Sequence, residues 1–133
     1  MSRKEYLENI ILGTLLDVDS EQDYYEDCRY CVTADMFSDE VNGRIYSIIS
    51  DMRGKGRKET SPLQIVREYG EAVYGLMSRM LELVVNYSFL HLKTEYNEKN
   101  FLCRCIFGQA KKPTDVQFVD YVNQYLVYVY ERR

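Results

Sequence analysis

The chain has 133 residues, of which 46% are hydrophobic and 29% are charged, as expected for one globular domain with its own core. A net charge of −4 argues against strong non-specific binding to nucleic acid. No apolar run approaches the ~18 residues of a transmembrane helix, and the first residues lack a signal peptide's apolar stretch. We therefore expect a cytoplasmic protein without membrane contact.

The first predicted helix runs from about Lys4 to Leu16, because its apolar residues recur at helical spacing. Gly13 lies inside this helix, and a glycine there usually marks the close approach of a neighbouring element. The polar residues 17–23 predict a connection, and a second helix is expected at about Glu21 to Tyr30.

The next segment contains two hydroxyl residues that are typical of helix starts. We expect Thr33 to begin a short turn through Met36, and Ser38 to cap a helix that ends at Gly54 and Gly56. The apolar stripe of this helix is Val41, Ile45, Ile48, Ile49 and Met52.

Thr60-Ser61-Pro62 is a strong helix start, since a hydroxyl cap precedes a proline at the first helical position. This short helix is expected to end near Gly70. A further helix is predicted from Val73 to Val85, followed by a break at 86–88 and a longer helix over about 88–106.

Residues 108–113 form the clearest linker, and Thr114 with Gln117 makes a capping box for a last helix. The segment 126–130 is rich in Val and Tyr and could also be a strand, but the capping box and the spacing favour a helix. The fold class predicted is all-α, in one domain: a compact head to about residue 70, then a long antiparallel helical hairpin over about 71–133.

The four cysteines, Cys28, Cys31, Cys103 and Cys105, match in number the ligands of a structural zinc ion. Both pairs fall within predicted helices instead of glycine-rich knuckles. Buried packing is therefore the favoured interpretation, and zinc binding and redox chemistry are the alternatives.

Four basic residues, Arg53, Lys55, Arg57 and Lys58, lie in a connection between two predicted helices. A solvated loop is the simplest interpretation. Contact with phosphate or with an acidic partner is the alternative.

The sequence offers no recognisable catalytic set. Neither a P-loop nor a G-x-G-x-x-G fingerprint is present. The one histidine, His91, has helical spacing to Tyr87 and Glu95, which favours an ordinary helix residue over a general base. We predict a protein that is not an enzyme and that needs no cofactor, metal or small-molecule substrate.

Several segments together resemble the amino-terminal domain of DnaB-type replicative helicases, without the ATPase domain. The first-helix signature is matched by Glu8, Ile11-Leu12-Gly13 and Leu15-Leu16. The family's second signature is matched by Phe37, Asn42, Ile45, Tyr46 and Ile49, with Gly56 closing the helix. The segment 98–106 resembles the start of the family's hairpin. Asn42-Gly43 stands where the family usually has His-Arg.

In that family the domain forms a collar on the helicase ring, where hairpins pair between subunits and present a surface to primase or a loader. The resemblance implies a non-enzymatic assembly module associated with DNA replication, from a phage or another mobile element. Its expected partners are a replicative helicase or primase. The resemblance also implies a homo-oligomer, a dimer or larger, formed through residues 88–131.

The tyrosines of the last helix support an assembly surface independently, because they offer more aromatic area than one neighbouring helix can bury. The candidate self-association residues are Tyr121, Tyr125, Tyr128 and Val129. The alternative is that these side chains simply pack on the head. An alternative function is a small helical DNA-binding or regulatory protein that uses the basic loop 53–58.

Overall fold

The computed structural model describes residues 1–18, 22–90 and 117–131. Within these ranges the chain is helical and contains no strand, which confirms the all-α class. The α-helices are α1 (Arg3–Leu15), α2 (Glu40–Gly54), α3 (Pro62–Tyr69), α4 (Met77–Tyr87) and α5 (Phe118–Glu131). Three 3-10 helices lie at Tyr24–Asp27, Ala34–Met36 and Gly70–Leu76.

Helix α1 is the centre of the fold, and it packs mainly against α4 and α5 and also against α2. Every residue from Leu7 to Leu15 is buried, including the polar Glu8, Asn9 and Thr14. A helix that is buried on all sides must be enclosed by several others. This explains why its apolar residues do not form one narrow stripe.

Gly13 confirms the prediction of a close approach. A Cβ atom at this position would collide with the carbonyl oxygen of Leu83 and lie only 2.9 Å from the backbone nitrogen of Ser88. The absence of a side chain therefore lets the end of α4 rest directly on the backbone of α1.

The predicted second helix over Glu21 to Tyr30 is wrong in extent, because the described part of this segment, residues 22–30, forms only the 3-10 helix at Tyr24–Asp27. The predicted cap at Ser38 is also wrong. The carboxylate of Asp39 caps α2, with its Oδ1 accepting from the backbone nitrogen of Val41 at 2.7 Å. The hydroxyl of Ser38 instead accepts a hydrogen bond from Lys4 at 2.7 Å, so it makes a tertiary contact and does not cap the helix.

The start of α3 agrees with the sequence, since Ser61 caps it and Pro62 is its first residue. The predicted helix over Val73 to Val85 differs at its beginning, where the 3-10 helix Gly70–Leu76 precedes α4. The expected break is present at Ser88, whose hydroxyl donates to Asp17 at 2.6 Å. That bond and the contact at Gly13 fix the chain where it leaves α4.

The last helix is confirmed, and residues 126–130 are helical, so the strand alternative is wrong. Phe118, Val122 and Tyr125 are buried and join the same core as α1. Most of the other arm of the proposed hairpin, with the linker 108–113 and the capping residue Thr114, lies outside the described residues. The long antiparallel hairpin therefore stays a prediction.

Candidate interaction surface

The inner face of α5 is fixed to α1 by the side chain of Tyr125. Its hydroxyl donates to Glu8 Oε1 at 3.3 Å, and the ammonium of Lys4 lies 5.6 Å from the centre of its ring. Burial, together with the negative charge of Glu8, raises the pKa of Tyr125. The phenol therefore stays protonated and keeps donating to the carboxylate.

Glu8 and Lys4 form a buried ion pair with a distance of 3.0 Å between Nζ and Oε1. The same Oε1 accepts from the backbone nitrogen of Ser38 at 2.7 Å, and Lys4 also donates to the carbonyl oxygen of Met36 at 2.8 Å. We call Lys4, Glu8, Ser38 and Tyr125 the anchor network. It connects α1, the loop before α2 and α5, and removing one partner of such a pair typically costs about 3–5 kcal/mol.

Tyr125 is therefore not available as an interface residue, which corrects the sequence prediction for this position. It is fully buried because its spacing places it on the same side as Phe118 and Val122. The other three candidates, Tyr121, Tyr128 and Val129, are half-buried and pack against the edge of the core. For Tyr125 the alternative of packing on the head is confirmed.

The side of α5 that points away from the core carries different residues. We define the outer face of α5 as Val119, Asn123, Val127 and Tyr130, all of which are exposed. Val127 is 52% exposed and Tyr130 is 53% exposed. Residues 121–130 contain no charge, and Asp120 and Glu131 stand at the two ends. Exposed apolar surface of this kind is typical of contacts with other proteins.

The sequence-based prediction of an assembly surface did not include the two valines of this outer face, because it rested on the tyrosines of the helix. A helical projection that places Tyr125 inward identifies Val119 and Val127 as outward-facing. The spacing alone groups these residues on one side of α5, but the sequence does not show which side of α5 meets α1.

The basic loop is largely neutralised by carboxylates of the same chain. Arg53 pairs with Asp23 and also lies over the ring of Tyr25, at 5.1 Å from the ring centre. Lys55 pairs with Asp51 at 3.0 Å.

Arg57 continues the same arrangement, since it pairs with Glu68 at 2.7 Å. Lys58 forms no ion pair with any residue in the described ranges. Four cations facing three carboxylates leave a local charge of about +1, which gives weak attraction for a polyanion. The geometry thus favours the solvated loop over a phosphate site.

Cys28 is fully buried in the core and behaves as a small hydrophobic residue, which confirms the packing interpretation for this position. Burial raises the pKa of its thiol, and it also raises the pKa of the partly exposed Cys31. Within the described ranges, no group of three or more potential ligand side chains is arranged to hold a metal ion. Cys103, Cys105 and His91 lie outside those ranges.

No protein-family model matches the chain, and no curated protein and no solved structure is significantly similar to it. Among the helices of the described residues, none is both long and apolar enough to cross a bilayer.

Proposed function

We propose that this protein is a non-enzymatic interaction and assembly module that self-associates through the outer face of α5. The single observation that carries the proposal is the uncharged stretch 121–130, in which Val127 and Tyr130 remain about half exposed. A homotypic contact on this surface would bury apolar side chains, and the acidic residues Asp120 and Glu131 stand only at its two ends. Burial of apolar surface is the main favourable term in association.

We further propose a role in DNA replication, with a replicative helicase or primase as partner. This step is supported by the sequence resemblance of α1 and α2 to the helicase amino-terminal domain. Two of the residues that carry the resemblance have structural roles: Glu8 in the anchor network and Gly13 in the α1–α4 contact. In this chain, these motif residues hold the helices of the core together.

The self-association proposal is tested by light scattering over a concentration series. We expect a dimer or larger species whose dissociation constant rises at least about a hundredfold when Val127 and Tyr130 are replaced by lysine. The matched control is Leu63→Lys on α3, because Leu63 is 56% exposed and lies on a different helix. A chain that stays monomeric at the highest concentration would refute the proposal, as would an oligomer that both variants weaken equally.

The replication proposal requires a separate measurement with purified replicative helicase and with purified primase. We expect one of them to form a complex with the chain by interferometry, and the Val127→Lys variant to show whether the α5 face is involved. If neither protein binds, the replication role is wrong, while self-association is unaffected.

A further inference from the structure

A cleft of about 580 Å³ lies where the ends of α1 and α2 meet the 3-10 helix Tyr24–Asp27. Small-molecule sites in proteins usually have volumes of about 300–1,000 Å³. The lining comes from four places in the chain: the end of α1, the 3-10 helix with the residues before it, the last turn of α2, and the loop 58–60. No local pattern in the sequence could therefore indicate it. We call it the tyrosine cleft, and its walls include Asp17, Tyr24, Tyr25, Arg53, Lys58 and Glu59.

Two aromatic rings give the tyrosine cleft a wall that the core holds in place. The ring of Tyr24 packs edge-on against Phe118, with 4.9 Å between the ring centres. The ring of Tyr25 lies against the guanidinium of Arg53, at 5.1 Å from the ring centre. Both tyrosines are only half-buried, so part of each side chain stays accessible. An aromatic or apolar group can pack on this wall without a rearrangement of the core.

The inner charged groups of the cleft are held by bonds within the protein. Arg53 pairs with Asp23 and also donates from Nη1 to the carbonyl oxygen of Lys58 at 3.3 Å. Asp17 is buried, and it accepts a hydrogen bond from the hydroxyl of Ser88 at 2.6 Å. These contacts fix the shape of the inner wall.

Two charges of opposite sign at the cleft have no ionic partner. Lys58 and Glu59 are both exposed, and neither forms an ion pair with a residue that the structure describes. Glu59 accepts one hydrogen bond, from the hydroxyl of Ser61 at 3.3 Å. The whole lining carries three carboxylates and two cations, which disfavours phosphate and other polyanions. The two unpaired charges instead match a ligand that carries both signs.

We propose that the tyrosine cleft binds a small zwitterion of the amino-acid type, with an aromatic or apolar side chain. The ammonium of Lys58 pairs with the carboxylate of the ligand, and the carboxylate of Glu59 pairs with its ammonium. The side chain of the ligand lies against the rings of Tyr24 and Tyr25. A ligand with both charges satisfies both unpaired groups of the protein, whereas a ligand with one charge leaves the other group without a partner.

This inference concerns a small ligand, whereas the function proposed above concerns a protein contact through the outer face of α5. No residue of that outer face lines the tyrosine cleft. A chain that stays monomeric can still bind a zwitterion, and a chain that self-associates can fail to bind one. The two proposals therefore fail separately.

The test titrates the full chain with three probes that share one aromatic ring. L-phenylalanine has both charges, 3-phenylpropanoate has only the carboxylate, and 2-phenylethylamine has only the ammonium. Binding is followed by the backbone amide shifts of the unsubstituted protein. We expect phenylalanine to bind at least about tenfold more tightly than either of the other probes, because each lost charge removes a charge-assisted hydrogen bond. The shifts should include residues 23–25 and 58–60.

Two variants then test the assigned charges. The affinity for phenylalanine should fall at least about tenfold in Lys58→Met and, separately, in Glu59→Gln. The matched controls are Lys55→Met and Glu71→Gln, which remove the same charges from exposed residues outside the cleft and should bind like the parent chain. Exposed positions of this kind tolerate substitution, so all four variants are expected to fold.

Three results would overturn the proposal. The first is the absence of amide shifts with phenylalanine up to its solubility limit. The second is equal affinity for the three probes, which would show that the charges are not recognised. The third is an equal loss of affinity in the variants of the cleft and in their controls.

Discussion

Replacement of Gly13 by alanine tests the close contact between α1 and α4 at a single atom. In an unconstrained helix the change would be favourable by about 1 kcal/mol, because alanine has the higher helix propensity. Here the added Cβ would meet the Leu83 carbonyl oxygen and the Ser88 nitrogen, and both are backbone atoms that cannot rotate away. Overpacking of this kind usually costs about 1–3 kcal/mol and more where backbone must move. We expect the free energy of unfolding to fall by about 1–3 kcal/mol.

The assay is urea denaturation followed by far-ultraviolet circular dichroism, with Gly54→Ala as the matched control. Gly54 is also helical, but nothing lies within 4 Å of a Cβ built on it, so its replacement should be neutral or slightly stabilising. A Gly13→Ala variant as stable as the parent chain would contradict a steric clash at this position, as would two variants whose midpoints shift in the same direction by similar amounts.

The remaining predictions concern the anchor network, the thiols and the basic loop. Tyr125→Phe should lower the free energy of unfolding by about 1–2 kcal/mol by thermal denaturation, because the hydrogen bond to the buried Glu8 is lost; an unchanged midpoint would contradict this. Alkylation followed by mass spectrometry should modify Cys28 far more slowly than Cys31 in the folded chain, and the two rates should converge in denaturant, since burial protects Cys28. Single-stranded DNA should bind no more tightly than about 10⁻⁴ M at physiological salt by anisotropy; a tighter complex that Lys58→Ala weakens would instead support a DNA-binding function.

The elements of the fold were largely readable because their signals are local. Ser61 and Pro62 specify the start of α3 through their own side chains. Gly13 indicates a close contact because it has no side chain. The wrong prediction of a cap at Ser38 shows the limit of local sequence signals. This serine resembles a cap in the sequence, but Lys4, 34 residues earlier, binds its hydroxyl, and Asp39 caps α2 in its place.

The candidate surfaces were harder to predict, because exposure depends on which side of a helix meets the rest of the chain. The sequence shows that α5 is amphipathic but not that Tyr125 points toward Glu8, 117 residues away. The ion pairs of the basic loop were equally hard to predict from the sequence. Its cations are visible in the sequence, whereas the pairing of Arg53 with Asp23 depends on a fold that brings separate segments together.

The anchor network also has a consequence for the order in which this protein can fold. Glu8 acquires its bond from Tyr125 only after the chain has been synthesised as far as a residue 117 positions later, so the enclosure of α1 is completed late. Contacts with such a large sequence separation slow folding, because the intervening chain must be closed first. Until α5 packs against it, the side of α1 that α5 covers leaves apolar surface and the Lys4–Glu8 ion pair open to solvent. Hydrogen exchange pulsed during refolding should therefore protect the amides of α1 no earlier than those of α5.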